Sequence, residues 1–152
     1  AVVQTWPAEA NGEMMSSNDI RDHVGIDFDG ILNLQNEQKV DLLIGEFLWQ
    51  QWSAEYGSKV FTPAWTEKIT RDFIKFVGPR STPVVHVEIS PWHGQASLVT
   101  PTVEEFAHTL DVIKNITVAI DVYDYSQIET RDAWDALSRW NEGTIARTTA
   151  SE

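Results

Sequence analysis

The chain has 152 residues, 42% of them hydrophobic, and a formal net charge of -12 from 23 acidic and 11 basic residues. That length supports one domain that buries about two-thirds of its unfolded surface, and the composition excludes wholesale disorder. The acidic balance repels phosphate backbones and anionic lipid, which argues against nucleic acid and membrane surfaces as partners. The absence of cysteine removes disulfides, thiolate metal ligands and a thiol nucleophile.

No apolar run approaches the roughly 20 residues of a membrane span, and no signal-peptide pattern is visible. The expectation is a soluble protein of undetermined compartment. Seven tryptophans, Trp6, Trp49, Trp52, Trp65, Trp92, Trp134 and Trp140, run along the whole chain. They read as large core fillers, or as anchors of a pocket or interface. Asn115-Ile116-Thr117 is a glycosylation triplet that matters only in a secreted protein.

Residues 1–19 read as an N-terminal arm or linker, with a short edge strand over Ala1–Trp6 ended by Pro7. His23–Leu32 alternates Val24, Ile26 and Phe28 with Gly25, Asp27 and Asp29, which predicts a strand ending at Gly30. Asn36 is a candidate N-cap for a long helix to Tyr56, with Val40, Leu43, Ile44, Phe47, Leu48 and Trp52 on one face. Gly45 weakens that helix and implies a close neighbour. Thr62-Pro63 opens a second helix with Trp65, Ile69, Phe73, Phe76 and Val77 as its stripe, stopped at Gly78-Pro79.

Thr82–Ser90 is the clearest strand. Val85, Val87 and Ile89 point one way, and Val84, His86 and Glu88 the other. A turn over 90–94 then leads to a short returning strand, Gln95–Thr100. Thr102 and Glu105 form a capping box for a helix to about Lys114. Ile116–Tyr125 is a strand. Ser126 and Glu129 repeat the capping pattern before a helix that packs Ala133, Leu137 and Trp140. Residues 143–152 read as a flexible tail. The predicted fold is α+β: one domain over 20–142, a mixed sheet of about four strands with four helices, in the order β-α-α-β-β-α-β-α.

Three constellations could carry chemistry. His86, Glu88 and His93 supply two imidazoles and a carboxylate, a ligand set for a divalent metal. A pocket lined by Trp and Tyr could take polar contacts from His108, Asp121 or Tyr123. The third is Val24-Gly-Ile-Asp27-Phe-Asp29-Gly30. It resembles the first motif of the haloacid dehalogenase phosphatases, a hydrophobic strand ending in Asp-x-Asp-Gly. The resemblance implies Asp27 as nucleophile and Asp29 as general acid/base, with Mg2+ between them and phosphate. It also implies Ser90 as the end of the second motif's strand, and Lys114 with Asp121 and Asp124 as the last motif.

Scattered ionisable groups, polar ends and aromatic excess point first to a non-catalytic acidic binding or assembly protein. Such a protein would be inhibitor- or immunity-like, or a particle subunit, joined to a protein partner or to itself through Trp6, Trp92 and Tyr123. The alternatives are a small metal-dependent hydrolase, and a metal-free small-molecule protein of carrier, isomerase or dehydratase type.

Overall fold

A computed structural model describes residues 2–5, 8–33, 42–57, 59–90, 100–117 and 119–150. Its strands are β1 (Val2–Thr5), β2 (Leu42–Glu46), β3 (Thr82–Glu88) and β4 (Ile120–Tyr123). Its α-helices are α1 (Ser17–Val24), α2 (Phe28–Asn33), α3 (Trp49–Tyr56), α4 (Pro63–Val77), α5 (Val103–Ile113), α6 (Tyr125–Thr130) and α7 (Trp134–Ala150). The strands lie in the order β1-β2-β3-β4, and every pairing among them is parallel. Each crossover therefore steps to the adjacent position in the same direction. Parallel neighbours need such helical crossovers, and helices and sheet here share one core.

Two predicted elements are overturned. The stretch His23–Leu32 is not a strand but the end of α1, a turn and most of α2. Local capping outweighs the alternation. The Ser16 hydroxyl accepts from Asp19 N–H in a reciprocal capping box, and Gly25 ends α1 in the left-handed region at φ 75°. The long helix predicted over Asn36–Tyr56 is also absent as such. Within it, Leu42–Glu46 is a strand and only Trp49–Tyr56 is helical. A strand buried on both faces shows a continuous apolar run, which periodicity alone does not separate from a helix.

Other elements match. Thr62 caps α4 through Trp65 N–H, with Pro63 at the first turn, and Gly78 follows Val77. Thr102 and Glu105 make both bonds of the capping box on α5. The strand expected over Ile116–Tyr125 is shorter, Ile120–Tyr123. Its following helix is capped by Asp124 rather than Ser126 and is separate from α7. The returning strand Gln95–Thr100 falls almost wholly outside the described residues, so the described sheet is purely parallel rather than mixed. The expected arm supplies β1, and the backbone of the expected tail is helical to Ala150.

The sheet has two unlike faces. Leu43, Val85, Val87 and Ile89 join the core with α4 and α5, while Ile120 and Val122 pack against it. That core is aromatic: Phe47 packs edge-on against Phe73 at 5.5 Å and Phe61 against Trp65 at 4.9 Å. The opposite face carries Ile44 and Glu46 on β2, then Val84, His86 and Glu88 on β3, all of them buried. A face this polar and this buried is the departure from ordinary packing that marks a candidate site.

Candidate functional site

Register builds the site. Glu46 on β2 is the partner of His86 on β3, and His86 is the partner of Asp121 on β4. In-register neighbours share a face at the strand spacing of about 4.8 Å. The row Glu46–His86–Asp121 therefore crosses three strands. One step further along, Glu88 is the partner of Tyr123. Glu46, Glu88 and Tyr123 each end their strand. In sheets wound with helical crossovers, the carboxyl ends of the strands are where ligands bind.

His86 is the centre. Its side chain is only 4% exposed, and Nδ1 lies 2.6 Å from Asp121 Oδ2. An ionised carboxylate can only accept, so Nδ1–H donates to Asp121, and in the neutral ring Nε2 then carries the lone pair. Nε2 is buried with no hydrogen-bond partner among the described residues, and Glu88 Oε1 is 3.9 Å away. The Tyr123 ring is tilted 34° to the imidazole with centroids 6.3 Å apart. The Asp121 side chain is 44% exposed. The cluster is thus closed toward β2 and β3 and open toward β4.

The other predicted residues are placed elsewhere. Asp27 precedes α2, where its Oδ1 accepts from Gly30 N–H at 3.0 Å. Asp29 lies in the first helical turn. Both are exposed, and neither ends a strand, so the Asp-x-Asp-Gly stretch lacks the strand on which the phosphatase resemblance depended. His93, Trp6 and Trp92 lie outside the described residues. His108 is exposed on α5. Among the described residues no group of three His, Asp or Glu side chains is arranged to hold a metal ion. No helix among them is long and apolar enough to cross a membrane.

Of the predicted residues, then, the fold brings together His86, Glu88, Asp121 and Tyr123, drawn from two separate constellations. Glu46 is new. Its strand was read as a helix, which hid the register that puts it beside His86. Two shallow depressions occur on the outer side of α4, one lined by Arg71, Ile74, Lys75, Asn115 and Ile116, the other by Ala64, Glu67, Lys68, Arg71 and Asp72. Neither contains a residue of the acidic row. No family model matches the chain, and neither curated proteins nor solved structures give a match.

Proposed function

We propose that the chain is a proton-transfer enzyme of the isomerase or dehydratase type, acting on a small polar molecule at the carboxyl ends of β2–β4. One observation carries this reading: a buried histidine whose Nδ1 is fixed by Asp121 and whose Nε2 has no hydrogen-bond partner among the described residues. A general base needs an oriented ring with its lone pair available, and a carboxylate behind the ring stabilises the imidazolium that forms. Nε2 is enclosed at the strand ends, which must part to admit a substrate. It then takes a proton from a carbon beside a carbonyl, and the electron pair of the broken C–H bond moves onto the carbonyl oxygen. The phenol of Tyr123 is the donor to that oxygen. In an α-hydroxy carbonyl compound the proton returns from Nε2 to the former carbonyl carbon. The α-hydroxyl passes its proton to the other oxygen and becomes the new carbonyl, which completes isomerisation. In a β-hydroxy compound the proton goes instead to the β-hydroxyl, which leaves as water. The electron pair returns from oxygen to re-form the carbonyl and make the α,β double bond, which completes dehydration.

The test is solvent-deuterium incorporation into a panel of small carbonyl compounds and hydroxy acids, followed by mass spectrometry, for wild type and His86→Asn. General-base catalysis contributes about 10²–10⁴-fold. Exchange by the wild type with a loss of that size in His86→Asn is expected. Absence of exchange across the panel, or equal exchange in the variant, overturns the reading.

A further inference from the structure

The large aromatic rings of the core are enclosed: Phe28, Phe47, Trp52, Phe61, Trp65, Phe73 and Phe106 are all buried. Tyr125 and Trp134 break this pattern. They are 65% and 41% exposed, yet their rings meet edge-to-face with centroids 5.5 Å apart and planes at 69°. They are neighbours because α6 ends in a tight return. Asp132 adopts φ 52°, and Ala133 N–H donates to Ile128 O at 2.9 Å, which starts α7 beside the first turn of α6. The base under the pair is firm. Ile128, Ala133 and Ala136 are buried in the core, and Arg131 Nη1 donates to Ile89 O at 2.5 Å.

The sequence around the pair is predominantly acidic. Asp124 precedes Tyr125, Asp132 and Asp135 flank Trp134, and Glu129 lies between them on α6. The one base of that stretch, Arg131, is turned onto the Ile89 carbonyl. Asp124 is held below the usual carboxylate range above all by the Ser126 hydroxyl, against the opposing effect of burial, with smaller lowering contributions from Gln127 N–H and the Ser90 side chain. An exposed aromatic face with an acidic border attracts a cation through the ring quadrupole and through the border charge together. Among biological cations the planar guanidinium suits it best, because it stacks on a ring while its N–H groups reach carboxylates.

We infer that Tyr125 and Trp134 form a docking surface for an arginine-rich segment of a partner protein, with a guanidinium stacked on the exposed ring face and neighbouring basic residues on Asp124, Glu129, Asp132 and Asp135. The surface is independent of the proton-transfer chemistry and stands whether or not that chemistry occurs. Rigid aromatic anchors with a charged rim are the anatomy of an interface hot spot.

The full chain is titrated against fluorescein-labelled short peptides of alternating Arg-Gly, Lys-Gly and Glu-Gly, by anisotropy at low and at high salt. The Arg peptide is expected to bind more tightly than the Lys peptide, and the Glu peptide not at all. Trp134→Ala and Tyr125→Ala should each weaken the Arg peptide by about 10-fold or more, as removal of a hot-spot ring does. Trp134→Phe and Tyr125→Phe, which keep a ring, should retain most of the affinity. Asp132→Asn with Asp135→Asn should reduce the salt dependence more than it reduces high-salt affinity. Circular dichroism of each variant checks that the fold is kept. Failure of the wild type to bind the Arg peptide, equal affinity for Arg and Lys peptides, or unchanged binding in both alanine variants overturns the inference. The last of these would show that bulk negative charge alone does the binding.

Discussion

His86 and Asp121 are 35 residues apart in sequence and 2.6 Å apart in space, as register partners on adjacent parallel strands. The pairing fixes which imidazole nitrogen faces the cluster. Replacing Asp121 with Asn keeps the shape but allows its amide to donate to Nδ1, which moves the ring proton to Nε2. Loss of the correct tautomer in a comparable His–Asp pair costs about 10⁴ in rate. Asp121→Asn should therefore fold normally, show exchanged 15N shifts for the two ring nitrogens, and lose proton-exchange activity by at least about 10²-fold. Wild-type nitrogen shifts in the variant would show that Asp121 does not set the tautomer.

Asp124 joins the end of β4 to α6. Its side chain accepts from Gln127 N–H as the N-cap, and the Ser126 hydroxyl donates to Oδ1 at 2.5 Å. The Ser126 bond is the main cause of its lowered pKa. A carboxylate lowered in the folded state adds stability that is complete above its unfolded pKa, and that stability is lost as pH falls through the folded value. Asp124→Asn should keep the cap at neutral pH and lose less stability than wild type on acidification. Asp124→Ala should cost about 1 kcal/mol at neutral pH. Urea unfolding at neutral pH and at pH values below the usual carboxylate range measures both. An acid-limb slope in Asp124→Asn identical to wild type would contradict the assignment.

Local chemistry made part of the fold legible in the sequence. Thr62-Pro63 and the Thr102/Glu105 box are signals read within one helical turn, and both helices begin there. The Thr82–Glu88 strand was legible because Val85 and Val87 meet an apolar core. What failed was β2. Leu43 and Ile44 are buried on opposite faces of a strand, so the run carries no period of two. Only its partners on β1 and β3 decide the matter, and those contacts are not local.

The candidate site followed the same division. His86 and Glu88 could be put on one face from their spacing alone. Asp121 and Tyr123 could be put on one face of another strand, but nothing in the sequence joined the two strands in register. Asp27 and Asp29 drew attention by resembling a motif. In the fold the Asp27 carboxylate receives the Gly30 N–H at the start of a short helix, a capping role that accounts for its presence there.

Trp65 links α4 to the N-terminal segment. Its Nε1–H donates to Gly12 O at 2.7 Å, a buried bond that crosses 53 positions of sequence. Trp65→Phe keeps much of the ring packing against Phe47, Trp52 and Phe61 but leaves the Gly12 carbonyl without this donor. A buried acceptor that loses its donor costs about 1–3 kcal/mol. The expected result is a lower urea midpoint with unchanged slope, and faster proteolysis of the segment before α1. A midpoint equal to wild type would mean that the bond contributes nothing net.

Gly45 gives the sharpest test of β2, because helix and strand predict opposite signs for one substitution. In a helix, Gly45→Ala would stabilise by about 1 kcal/mol through helix propensity. In the strand, an added methyl would lie 2.7 Å from Phe47 Cζ and 3.0 Å from Phe73 Cε1. Both rings are buried and packed edge-on against each other, so neither can turn away without disturbing the core. Overpacking of this kind costs about 1–3 kcal/mol. Gly45→Ala should therefore lower the melting temperature, and pairing it with Phe73→Leu should recover part of the loss by freeing space where the methyl points. A stabilised single variant would return Leu42–Glu46 to the helical reading. It would also remove Glu46 from the row it forms with His86 and Asp121.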